Sequence, residues 1–172
     1  VTVSRGLGDV YKRQDELLVQ NKSFKVSVLQ GITGSGKTHV YFENVKKILR
    51  SNNQVLILFP EITLTNQFEK RFKDFFGFKP SVWHSRVTVK ERRKIWQGVL
   101  KNKIKVVLGA RSALLLPFKS LKLIIVDEEH DASYKQEEGS IYNARDMAIL
   151  RSSIEKIPIN LISSIPSIET YN

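Results

Sequence analysis

Apolar and polar positions fall into two recurring spacings along this chain. Lys25-Val26-Ser27-Val28-Leu29-Gln30 alternates as a half-buried strand does, whereas 54–59 is a continuous apolar run bounded by an Asn turn and Pro60, as in a strand buried on both faces, and 104–108 and 121–126 read as further buried strands. Ser81-Val82-Trp83-His84 reads as a short strand and Ile159-Asn160-Leu161-Ile162 as the last one. Between them the period changes to that of a helix. Val40, Tyr41, Val45, Ile48 and Leu49 share one face, and the helix stops at Ser51-Asn52-Asn53. A second helix from about Leu64 to Phe76 gathers Phe68, Phe72 and Phe75 on one side and ends at Gly77. Thr88-Val89-Lys90-Glu91 is a capping box that opens a third helix carrying Ile95, Trp96, Val99 and Leu100, and a fourth spans roughly Ala144 to Glu155. A short helix over 15–21 precedes the first strand. Strands alternating with helices predict an α/β fold: a mainly parallel central sheet with right-handed crossovers and helices on both faces, a three-layer sandwich. Trp83 and Trp96 read as core.

Composition narrows this picture only in part. A chain of 172 residues suits one domain that buries about 70% of its unfolded surface. The absence of cysteine excludes disulfides, cysteine-ligated zinc and thiol catalysis, and fits a reducing cytoplasm. No apolar run approaches a membrane span, so no membrane partner is expected. Lys and Arg total 28 against 17 Asp and Glu, a net charge of +11, which suits a polyanion such as nucleic acid but equally a solvated basic surface. Residues 1–14 have no period and look like a non-native or disordered leader, so the domain is expected to run over 15–172.

The chemistry lies at two strand ends. Gly31-Ile32-Thr33-Gly34-Ser35-Gly36-Lys37-Thr38 sits between a predicted strand and a predicted helix, the setting of a Walker A phosphate loop. There the backbone amides around Gly31, Thr33, Gly34, Ser35 and Gly36 wrap an anion at the positive end of a helix dipole. Lys37 would meet the β- and γ-phosphates, and the Thr38 hydroxyl would ligate Mg²⁺. Val126-Asp127-Glu128-Glu129-His130 ends an apolar strand with carboxylates, the Walker B arrangement. Asp127 would hold Mg²⁺ through a water, and Glu128 would orient and deprotonate the water that attacks the γ-phosphate. The plainer alternatives are a glycine turn capping a helix and a solvated acidic turn.

The phosphate loop, Phe59-Pro60-Glu61-Ile62-Thr63-Leu64-Thr65, Gly109-Ala110-Arg111-Ser112-Ala113-Leu114 and Asp127-Glu128-Glu129-His130-Asp131-Ala132-Ser133-Tyr134-Lys135-Gln136 occur in one order. In these four motifs the chain resembles the PriA family of primosomal replication-restart helicases of superfamily 2, over about Val26 to Asn172. The resemblance implies a P-loop NTPase fold, specifically the first RecA-like lobe. It implies the ATP-binding part of an ATP-dependent 3′-to-5′ DNA helicase of the bacterial cytoplasm, with single-stranded or forked DNA, other primosome proteins and single-strand-binding proteins as partners. A P-loop ATPase that remodels protein, or a nucleotide-binding module without turnover, are the competing functions.

Site roles follow from the same resemblance. Pro60, Glu61, Thr63, Thr65 and Gln67, with Arg111 and Ser112, line the DNA path, where hydroxyls and amides suit sequence-independent phosphate contacts. A plain helix start at Pro60 and a carboxylate partner for Arg111 are the alternatives. Tyr134 to Arg145 is similar to the aromatic-rich loop that couples DNA binding to hydrolysis; Tyr134 and Tyr142 stack on bases, or one of them forms a lid over the core. His130, Ser163 and Ser164 are expected to link the nucleotide site to the last motif. His39 and His84 lack metal-ligand spacing and read as structural or surface residues. Ile165 stands where the family has a threonine, Ala110 replaces another before Arg111, and Ser140-Ile141 replaces a Pro-Arg pair. The family's second lobe, arginine finger and zinc site are expected to lie outside this chain.

Overall fold

The computed structural model describes residues 2–5, 23–31, 36–60, 66–136 and 142–163. The strands are β1 (Thr2–Arg5), β2 (Lys25–Gln30), β3 (Gln54–Leu58), β4 (Ser81–Trp83), β5 (Val106–Gly109), β6 (Leu121–Val126), β7 (Lys135–Gln136), β8 (Tyr142–Asn143) and β9 (Pro158–Ser163). The helices are α1 (Lys37–Arg50), α2 (Asn66–Phe76), α3 (Val89–Leu100) and α4 (Ala144–Glu155). Seven strands form one sheet in the order β1-β2-β9-β6-β3-β5-β4, and every pairing in it is parallel. Parallel neighbours need crossovers, and those crossovers place helices on both faces.

One face packs α1 and α2 on the sheet through Tyr41, Phe42, Val45, Ile48 and Phe72. This layer is built of rings: Phe72 stacks on Phe76 at 4.3 Å between centroids, and Phe59 meets Phe68 edge-on at 4.5 Å. The opposite face packs α3 and α4 through Ile95, Val99, Ala144 and Ala148, with aliphatic strand residues beneath. β3 is buried at all five positions, as its continuous apolar run requires. Gln54 opens that strand fully buried, its amide donating to Val99 O (2.9 Å) and Ile104 O (2.7 Å) and accepting from the Ser120 amide (2.8 Å).

The predicted elements recur with small changes at their ends. The capping box at Thr88 and Glu91 is complete, and Gly77 ends α2 at φ +78° with its amide on Lys73 O. β5 starts at Val106 rather than Ile104 because the amides of Lys103 and Ile104 still bond back to Gly98 O. Two expectations are corrected. Thr2–Arg5, placed outside the fold by the sequence, form the edge strand β1, paired parallel to β2. Trp96 is 44% exposed: α3 turns Ile95 and Val99 inward, and the next position round the helix points off that face. The helix expected over 15–21 lies outside the described residues. Among the described residues no helix is long and apolar enough to cross a membrane.

Candidate functional site

Because all seven strands of the sheet run the same way, every motif is delivered to one edge, the carboxyl ends of the strands. Two groups form there. β2, β9 and β6 end in Gly31, Ser163 and Asp127; β3, β5 and β4 end at Pro60, at Arg111–Ser112 and at His84.

In the first group, the Gly31 amide donates to Ser163 O at 3.2 Å, tying the start of the phosphate loop to β9. Thr33, Gly34 and Ser35 lie outside the described residues. Gly36 follows in the left-handed region at φ +81°, and no side chain caps α1, whose first residues are Lys37 and Thr38. A helix start without a side-chain acceptor suits an anion at its amides. The Lys37 ammonium donates to Gly31 O at 2.5 Å.

Asp127 is fixed from three directions. Its amide donates to Leu58 O (2.9 Å), Tyr41 donates to Oδ2 (3.1 Å) and the Glu128 amide donates to Oδ1 (3.0 Å). Burial first and the neighbouring Glu128 second push its carboxyl up to about 6. An arriving cation would oppose both causes. Hard oxygens from a carboxylate and the Thr38 hydroxyl, next to a phosphate cradle, fit Mg²⁺, which takes few protein ligands and keeps waters. The residues present therefore fit the expected Mg-nucleotide. Burial and the Asp127 charge raise the Tyr41 phenol well above its ordinary range, so it stays a donor. The sequence placed Tyr41 only in the apolar stripe of α1, although it lies one helical turn beyond Thr38.

Glu128 follows in the left-handed region at φ +47°. Glu129 turns inward with its carboxylate fully buried against the Arg145 guanidinium at 3.3 Å. His130 Nδ1 meets the buried Ser163 hydroxyl at 2.7 Å, and its Nε2 is 3.7 Å from Glu128, so the box touches β9. Ser164 and Ile165 lie outside the described residues.

In the second group, Phe59 N donates to Gly109 O (2.9 Å) and Ala110 N to Trp83 O (3.0 Å), so the two segments expected along the DNA path are neighbours. Pro60 is buried and Gln67 is exposed on α2; Glu61, Thr63 and Thr65 lie outside the described residues. The Ser112 hydroxyl accepts from Trp83 Nε1 at 3.1 Å and is exposed. Arg111 takes a carbonyl rather than a carboxylate, donating to Lys135 O at 2.6 Å.

Tyr134 is corrected: it is 1% exposed, and its hydroxyl donates to Asp127 O at 2.5 Å, so it cannot stack on a base. It packs in the core because the chain turns inward after the acidic box, where the ring fills space and the hydroxyl finds a carbonyl. Tyr142 is partly buried on the two-residue antiparallel pair of β7 and β8, while Ser140 and Ile141 lie outside the described residues. Tyr41, Glu129 and Arg145 are the site residues the sequence did not single out. A glutamate with no exposure and an arginine opening the next helix would be found only from their burial.

Comparison with known proteins follows the same lines. The model of the DEAD/DEAH box helicase family matches residues 11–164. The chain is 49% identical over 168 residues to the replication restart protein PriA of Rickettsia felis, covering 96% of this chain and 26% of that protein. Against the replication restart protein PriA of Bacillus subtilis it is 42% identical over 147 residues, 86% of this chain and 18% of the relative. The chain thus spans about a quarter or less of the curated relatives it matches. Among solved structures it resembles RecG bound to a three-way DNA junction (TM-score 0.67, 22% identity, 99% of this chain and 22% of that one). It also resembles the Hef helicase domain of Pyrococcus furiosus (TM-score 0.62, 20% identity, 92% of this chain and 33% of that one). These two likenesses concern the fold.

Proposed function

The chain belongs to the DEAD/DEAH box helicase family, and from that premise we propose that it is the ATP-binding lobe of an ATP-dependent DNA helicase acting in bacterial replication restart. The observation that carries this reading is the common strand edge, where a phosphate-loop lysine and a two-carboxylate turn lie beside the segments around Pro60 and Arg111. A motor needs those two functions on one rigid body, because hydrolysis must be felt where the polymer is held.

In this reading the amides at the start of α1 and the Lys37 ammonium bind the phosphates, and Glu128 orients the attacking water and takes its proton. When bound with the nucleotide, Mg²⁺ would be held by Thr38 and Asp127 and would neutralise charge on the β- and γ-phosphates. Ser112 and Arg111 would contact the backbone of single-stranded or forked DNA, and Gln67 would lie along the same path. His130 with Ser163 would carry the state of the nucleotide site to the last motif. Catalysis is completed by a second RecA-like lobe whose arginine faces the other side of the γ-phosphate, a contribution of about 10³–10⁵ in rate. The cytoplasm and the primosome and single-strand-binding partners belong to the same proposal.

The test is titration of the 172-residue chain with a fluorescent ATP analogue and Mg²⁺ beside Lys37→Ala. Affinity should fall by about tenfold or more while circular dichroism stays unchanged, because Lys37 is the first residue of α1 and its ammonium bonds a loop carbonyl, Gly31 O. Equal affinity in the two proteins would remove the nucleotide-site assignment.

A further inference from the structure

Glu128 holds a left-handed backbone at φ +47°, a conformation that side chains with a Cβ seldom adopt unless their surroundings impose it. The residues on either side are pinned to different strands. Asp127 N donates to Leu58 O on β3 (2.9 Å), and Glu129 N donates to Ile162 O on β9 (3.0 Å). The third constraint is a side chain. Glu129 has no exposed carboxylate surface, and Arg145 donates to it at 3.3 Å from the first turn of α4. Arg145 is itself held in place: its guanidinium also meets Asp146 Oδ1 at 2.9 Å, and its amide donates to the Asn143 cap at 2.9 Å. Glu128, between the two pinned residues, keeps a side chain that is 35% exposed, its carboxylate 3.7 Å from His130 Nε2, at the strand edge that carries Asp127.

We propose that Arg145 is a positioning residue: by clamping the Glu129 carboxylate on the inner side of the turn, it holds Glu128 in its left-handed conformation and so aims it at the nucleotide site. The consequence for hydrolysis rests on the reading of Glu128 as the water-activating base; the conformational statement does not. The buried pair also joins the turn to α4 and, through the Asn143 cap, to β8, so that the hairpin following the acidic box and the base itself share one anchor.

The test uses the backbone preference of glycine, which adopts the left-handed region freely where alanine does not. Glu128→Gly and Glu128→Ala both delete the carboxylate, so the ratio of their folding equilibrium constants, from urea denaturation without nucleotide or DNA, isolates the backbone term. In the parent background the glycine variant should be favoured by about five- to tenfold. The same ratio is then measured with Arg145→Met and Glu129→Gln together, which removes both charges and so leaves no lone buried ion. The ratio should fall to about one or below, since the turn is free to relax and an unstrained site favours alanine through the unfolded state. If the double variant fails to fold, Glu129→Ala alone, which leaves Arg145 its Asp146 partner, is read in the same way. A ratio that stays at its parent value would show that the backbone pins alone hold the turn, and the proposal would be wrong. A merely structural ion pair would lower the stability of the glycine and alanine variants equally and leave the ratio unmoved. Loss of the nucleotide-site assignment in the Lys37→Ala titration would not change this ratio, so the two readings fail separately.

Discussion

Replacing Asp127 by asparagine should stabilise the nucleotide-free protein at neutral pH while removing the proposed metal ligand, and the size of the effect follows from the site. The carboxyl is pushed from 3.8 to about 6 by burial and by Glu128. Its folded value lies above its unfolded one, so between these limits the folded state binds more protons and stability falls as pH rises. At 1.36 kcal/mol per pH unit the interval amounts to about 3 kcal/mol, present as a penalty above about pH 6 and absent below about pH 4. Asparagine can keep the local contacts, its oxygen accepting from the Glu128 amide and its NH₂ facing the Tyr41 oxygen. The variant should therefore gain about 2–3 kcal/mol over the parent at pH 7.5, with the difference shrinking toward zero near pH 4. Urea denaturation of both proteins across that range, with chelator present, measures it. A stability difference independent of pH would refute the argument, because it would mean that Asp127 ionises in the folded chain as it does in the unfolded one.

Two further outcomes concern the scaffold. Gln54→Leu should destabilise by about 3 kcal/mol or more, because two carbonyls and one amide lose their buried partner, and chemical denaturation reads this directly. Thr88→Ala should lower Tm by about 2–4 °C through loss of the α3 cap, and the Glu91 carboxyl, held below its usual range by the Thr88 hydroxyl and amide, should return toward that range in a carboxylate NMR titration.

The parts of this protein that could be read from sequence are those governed by local spacing. The capping box at Thr88, the stop at Gly77 and the buried run of β3 each carry their cause within a few residues, and all three hold. So does the delivery of Lys37 and Asp127 to strand ends, since a parallel sheet leaves no other place for them. What could not be read depends on which side of a residue meets the rest of the chain. Trp96 and Ile95 are equally apolar and adjacent, and only the seating of α3 decides which is covered. Tyr134 sits in an aromatic-rich segment next to Tyr142, yet one is sealed beneath Asp127 and the other lies on a short hairpin. Glu129 and Arg145 look like surface charges in a basic chain; their pairing spans a turn, a 3₁₀ segment and a hairpin.

The unequal faces of the sheet bear on how this protein can change over generations. Seven of its nine phenylalanines interlock on the α1 and α2 side, most of them ring edge against ring face. Planar rings packed in this way admit few substitutes of equal volume and shape, whereas branched aliphatics exchange among themselves with little loss. Mutational drift should accordingly be slow on the α1 and α2 side and quicker on the α3 and α4 side, where Ile95, Val99 and Ala148 meet aliphatic strands. A saturation library scored for folding alone would separate the two faces.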